Sequence, residues 1–153
     1  MNLAETYLSE RGINLDSAAQ HGLEFDERVS QEIALDRLGR RLPKGVIEVI
    51  WIPVRDSHGS IIERIARLLP SVCGSDGKLI KFLCPTGSTG RPFIPGPVWE
   101  ASKRTNHPII VTEGPIKGLA LCQAGGLPIA LGGVWMGTAE NGDGRYSLRS
   151  ELL

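Results

Sequence analysis

Three kinds of hydrophobic patterning run along the chain, and each predicts a different element. Residues 1–40 have helical spacing. Leu3, Tyr7 and Leu8 share one helix face, and Gly12 stops the run. Asp16 or Ser17 is placed to cap a second short helix ending near Gly22. Asp26 is placed to cap a third, with Val29, Ile33 and Leu38 on or near one face and Gly39 at its end. From Val46 the pattern is that of strands. VIEVIWIPV is rich in β-branched residues, and Pro53 is expected at its end or on an edge. RDSHGS reads as a turn and SIIERIARLL as the return strand of a hairpin. On that strand Glu63, Ile65 and Arg67 point one way, and Ile62, Arg64, Ala66 and Leu68 the other. Arg64 and Arg67 therefore fall on opposite faces unless a bulge intervenes. SVCGSDGK reads as a turn, LIKFLCP as a short strand carrying Lys81, and PTGSTGRPFIPGP as a loop with a brief strand at Phe93–Ile94.

From Pro108 the third pattern begins. PIIVTE is an apolar strand suited to a buried sheet. PIKGLALCQAG is a helix with Pro115 near its first position and Gly125 at its end, and LPIALGG is a second strand. Joints this short make a right-handed βαβ unit with parallel strands. VWMGTAENGDGR reads as loop and RYSLRSELL as the beginning of a helix. The predicted fold class is α/β with an α+β N-terminal part. It divides into a helical lobe over 1–45, a basic β-rich region over 46–106 and a partial parallel unit over 107–153.

Composition narrows the setting. Of 153 residues, 41% are apolar, enough for a core. No apolar run approaches the length of a membrane span, and MNLAETYLSERG lacks the basic-then-apolar order of a signal peptide. Cys73, Cys84 and Cys122 are odd in number and form no CxxC pair, which points to reduced thiols in a cytoplasmic protein. Net charge is zero but unevenly spread. Residues 1–40 hold eight acids and four bases, residues 41–105 ten bases and five acids, and residues 106–153 three bases and four acids. An anionic partner is expected at the basic middle block.

The chemistry concentrates at IIVTEGPIKG. Ligands of a parallel α/β sheet gather beyond the carboxyl ends of its strands, and Glu113 stands at such an end. The following helix directs free backbone N–H groups and a partial positive charge to the same place. Lys117 lies on its first turn, and Gly114 lets a ligand approach the backbone. Helix stabilisation by an acid near the N-cap is the structural alternative for Glu113.

Four segments taken together resemble the catalytic core of bacterial-type, toprim primases, most closely the primase-like proteins of phages and plasmids. They are YLSERGI at 7–13, IPVRDSHGSIIERIARLL at 52–69, KFLCPTGS at 81–88 and IIVTEGPIKGLALCQAGGLPIALGG at 109–133. The last is similar to the first toprim strand, helix and second strand. By this resemblance Glu113 matches the toprim glutamate, implied to act as a general acid/base or a metal-site carboxylate in nucleotidyl transfer. Arg67 and Lys81 match basic positions on the ridge that guides the template. Arg64 departs from the family, which often has small or aromatic residues around that position, and Glu63 stands where glycine is common. Lys117 looks like the lysine of the mobile-element branch and is implied as a phosphate contact. Arg64 and Arg91 complete the set assigned to nucleic acid or phosphate.

An absence qualifies the resemblance. The family's next strand carries an Asp-x-Asp motif that holds Mg²⁺, and Asp143 in NGDGR is the single Asp after Glu113. Glu113 alone does not make a two-metal site. The expectation is therefore a shortened piece of a larger replication protein, inactive by itself, or a remnant that kept the binding surface. In full context it would bind single-stranded DNA or RNA and nucleotides, use Mg²⁺ or Mn²⁺, and meet a helicase or other replication protein, away from any membrane. The alternative is a non-catalytic regulator or inhibitor that binds nucleic acid or protein. GSTGRP lacks the GK[ST] ending of a phosphate loop. His21, His58 and His107 share no metal-ligand spacing. Trp51 reads as core, Trp99 and Trp135 as residues able to stack bases, with Trp135 the better exposed contact, and Cys122 as packing.

Overall fold

A computed structural model describes residues 2–56, 58–96, 98, 100, 106, 108–132, 138–140, 142 and 146–148. Trp99, His107, Trp135 and Asp143 lie outside the described residues. The centre is a four-stranded antiparallel sheet in the order β1-β2-β3-β4, built from Glu24–Asp26, Glu48–Arg55, Ile61–Cys73 and Leu79–Leu83. The predicted hairpin is β2 and β3, paired from Glu48↔Leu69 to Arg55↔Ile61. β1 reaches only Val49–Trp51, so at Pro53 strand β2 has β3 alone beside it. Pro53 thus sits where its missing N–H breaks no ladder to β1.

Helices cover both faces. Ile50, Ile52, Val54, Ile65 and Leu69 pack with α1 (Leu3–Ser9) and α2 (Leu15–Gln20), while Val49, Trp51, Ala66 and Leu68 pack with α3 (Gln31–Leu38). Local chemistry fixes the helix ends. The Asn2, Asn14 and Ser30 side chains cap α1, α2 and α3, and Gly39 closes α3 in the left-handed conformation. The buried Glu48 carboxylate accepts the N–H groups of Leu3 and Ala4 at 2.9 and 2.8 Å, pinning α1 to β2.

Several sequence expectations are corrected here. Asp26 does not cap α3; it ends strand β1, which helical reading of residues 1–40 passed over. Asn14 replaces Asp16 or Ser17 as the cap of α2. β3 runs on through Ser71–Cys73, where a turn was expected, and slips register against β4 between Arg67 and Val72. Thr138–Glu140 (β7) pairs antiparallel with Tyr146–Leu148 (β8), where loop and helix were expected.

The βαβ unit is as predicted. Strand β5 (Ile109–Glu113) pairs in parallel with β6 (Leu127–Leu131), from Ile109↔Leu127 to Glu113↔Leu131, and α4 (Pro115–Gln123) connects them. Phe93 bridges Ala130 through hydrogen bonds of 2.8 and 2.9 Å, so beside β6 there is an isolated antiparallel bridge where a brief strand at Phe93–Ile94 was expected. The apolar face of β5 is not buried, however: Val111 is 59% exposed, because β6 is its one strand neighbour among the described residues. Helix α4 sits tightly on β6. A Cβ on Gly118 would fall 2.8 Å from the Ala130 Cβ, nearer than real contacts allow. Gly118→Val is therefore expected to lower stability by about 1–3 kcal/mol through overpacking, read by thermal unfolding. An unchanged melting temperature would show that α4 can lift away without cost.

Candidate nucleic-acid interface

The turn from β5 into α4 places the first functional groups. Gly114 has φ +84°, a conformation L side chains rarely adopt, and its N–H donates to Leu131 O at 2.6 Å. Pro115 opens the helix with no N–H of its own, and no side chain caps the N-terminus. Glu113, Gly114 and Lys117 consequently line one cavity of about 670 Å³.

The opposite wall comes from far earlier in the chain. Tyr7 of α1, Arg11 in the turn just beyond it, and Lys81, Phe82 and Cys84 of β4 and its exit line the same space. Arg11 lies over the Tyr7 ring at 3.8 Å and donates through Nη1 to Tyr7 O at 2.8 Å. The two walls are tied together behind the cavity by Gln123 at the end of α4. Its Oε1 accepts the Asn14 N–H at 2.8 Å and its Nε2 donates to Gly12 O at 2.7 Å. Burial pushes the Cys84 thiol above its ordinary pKa, with Glu63 adding to the rise and Arg40 opposing it, so it stays protonated at neutral pH.

The basic residues singled out in the sequence divide among different places. Lys81 and Lys117 share the cavity with Glu113. Arg67 lies behind it, 7% exposed, with Nη1 donating to Ser71 Oγ and Lys81 O, both at 3.1 Å. Arg64 is on the other face of the sheet, as the period of two required, since the slip in β3 comes after Arg67. There it joins Arg37 in holding Glu24. Burial pushes Glu24 up, but the hydrogen bonds from Arg37 and Arg64 outweigh it and the pKa falls below the usual carboxylate value. Arg91 stands close enough to the Asp56 turn to help lower Asp56, whose main stabilisation is the His58 backbone N–H. His21 is buried and its pKa lowered, by desolvation first and by Arg55 second.

Among the described residues no group of three or more His, Cys, Asp or Glu side chains is placed to hold a metal ion. Glu113 is the acid of the cavity lining. A Mg²⁺ ion held through one carboxylate depends on substrate phosphates and water for its other ligands, and two-metal chemistry needs several converging acids. These residues do not form such a site by themselves.

The DnaG catalytic core matches with a TM-score of 0.56 at 22% identity, over 86% of this chain and 47% of that one. The DnaG primase catalytic domain bound to single-stranded DNA matches with a TM-score of 0.55, also at 22% identity, over 86% and 47%. The E. coli primase catalytic core gives 0.52 at 22%, over 84% and 47%. The chain has the fold of a primase catalytic core. It spans about half the length of the primase cores it matches. Residues 98–153 also match a family model described as a domain of unknown function, DUF3854. No curated protein matches. No helix among the described residues is long and apolar enough to cross a membrane.

The primase-core fold explains why the sequence segments kept their order, but Tyr7, Arg11 and Phe82 of the cavity lining were given no site role from the sequence. Tyr7 and Arg11 were read as a helix face and a motif opening. Their i, i+4 spacing is a signal that could have paired them with each other, since the Arg11 side chain reaches back one turn to Tyr7 O, but it says nothing of the cavity.

Proposed function

We propose that this chain is the strand-holding portion of a primase-like nucleotidyltransferase core in a phage or plasmid replication protein of the cytoplasm. It binds single-stranded DNA or RNA template and nucleotides, and contributes to primer synthesis. The observation that carries this reading is one cavity in which Glu113 and Lys117 of the parallel unit meet Lys81 and Arg11 from earlier in the chain. Three cations around one lining acid, with Glu10 beside Arg11 at 3.6 Å, still leave net positive charge for phosphate groups, and the uncapped start of α4 adds backbone donors. Glu113 serves as the general acid/base or as one carboxylate toward Mg²⁺ or Mn²⁺, with further acids required for a complete metal site. Arg91 extends the basic track toward the β2–β3 turn. Arg64, held by Glu24 on the opposite face, stands outside this proposal. A helicase or another replication protein is the expected protein partner.

The test is the salt dependence of binding to a short single strand. Four neutralised phosphates give a slope of log K against log salt of about −3, and each single strand contact contributes about 0.7. Lys81→Ala and Lys117→Ala are each expected to shallow the slope by about that amount. A flat dependence in the unaltered protein would remove the basic cavity from the reading.

A further inference from the structure

We infer that Tyr7, Arg11 and Phe82 form a shelf for a nucleobase, and that buried Arg67 is a positioning residue that holds this shelf in place. The inference rests on the nucleic-acid reading above and names which part of the ligand meets which wall. Tyr7, Arg11 and Phe82 all line the cavity. Arg67 does not line it, yet its guanidinium lies 4.5 Å from the Tyr7 ring and 5.1 Å from the Phe82 ring. Arg11 lies over Tyr7 at 3.8 Å. Two rings and two guanidinium planes thus make one assembly from α1 and the turn after it, β3 and β4.

Arg67 has little left to offer a phosphate. It is 7% exposed, Nη1 is committed to Ser71 Oγ and Lys81 O, and Nε is buried without a partner. Its position makes sense as a bracket. By reaching the backbone of Lys81 and both rings it fixes the spacing between α1 and β4. The exposed cation of the assembly is Arg11, with 42% of its side chain accessible. A flat base laid against aromatic rings and an arginine plane, with its phosphate toward Lys81 and Lys117, matches this distribution of apolar and cationic groups. A base carried by a single strand and one carried by a free nucleoside triphosphate present the same chemistry.

The test uses 2-aminopurine, whose fluorescence is quenched on stacking, placed in a short single-stranded oligodeoxynucleotide and, separately, in the riboside triphosphate. Quenching is expected on binding to the unaltered protein; quenching of the triphosphate alone assigns the shelf to free nucleotide. Tyr7→Phe should keep it. Tyr7→Leu should abolish it and weaken binding by roughly 5- to 150-fold, the usual worth of one stacked base, with the salt slope unchanged. Arg67→Met should reduce quenching at the same slope, and Arg67→Lys, which keeps charge but loses the plane, should do likewise if the methionine variant fails to fold. A slope shallower by about 0.7 in either Arg67 variant, with quenching intact, would make Arg67 a phosphate contact and overturn its positioning role. Binding without quenching in the unaltered protein would overturn the shelf and leave strand binding standing. Absence of any salt-dependent binding would remove both readings.

Discussion

Trp51→Ala lowers the unfolding free energy by about 3–5 kcal/mol, the usual cost of deleting a buried large aromatic side chain. The indole is 1% exposed in the middle of β2, surrounded by Ala34, Leu38 and Leu42 on one side and Val49, Ala66 and Leu68 along the sheet. Small alanines at 34 and 66 leave room for the ring, and neither can fill the space it vacates. The substitution also removes the ring that Arg37 lies over at 5.0 Å, and Arg37 is half of the clamp on Glu24. For a chain of this size the melting temperature should drop by roughly 6–20 °C. Trp51→Phe should cost less, because the indole Nε1 is buried with no partner and its removal ends that penalty. Urea unfolding of the two variants measures both values. A loss below about 1 kcal/mol for Trp51→Ala would mean that α3 is not seated on the sheet as described.

Trp51 was legible as core because it is a large apolar side chain inside the unbroken apolar run VIWIPV. The βαβ unit was legible for a related reason. Apolar run, glycine, proline and a glycine-ended helix each act over a few residues, and their order leaves one handedness. Strand β1 was not legible, since Glu24–Phe25–Asp26 has a single apolar residue between two acids and becomes a strand by pairing with β2. The same distance in sequence hid the partner of Arg64. Period-two alternation placed Arg64 opposite Arg67, but nothing local says that Glu24, forty positions earlier, would take it. The exposure of β5 was missed because β-branched composition reports strand tendency and not which faces find cover. At the cavity, Glu113, Lys117 and Lys81 came from strand ends and motif order. Tyr7 and Arg11 reach the cavity through tertiary packing of α1 and the turn after it, which sequence spacing cannot report.

On the proposed function, Glu113→Gln is expected to cut primer synthesis about 10²- to 10⁴-fold, the range associated with losing a general acid or base. The amide keeps the volume and reach of the carboxylate but neither holds a charge nor takes a proton. Glu113 is exposed at the strand tip and its neighbour Gly114, not its own side chain, makes the turn into α4, so folding should be untouched. Strand affinity should not fall either, because the substitution removes the one acid among Arg11, Lys81 and Lys117 in the cavity lining. Activity and binding therefore part company: synthesis drops while affinity holds or rises slightly. The measurement pairs a Mn²⁺-supported primer-synthesis assay on a single-stranded template with oligonucleotide binding at fixed salt. A loss of both together would make Glu113 a structural residue of the cavity wall. Equal synthesis by the two proteins, or none by the unaltered one, would take the catalytic role away from Glu113 and leave the chain a strand-binding module.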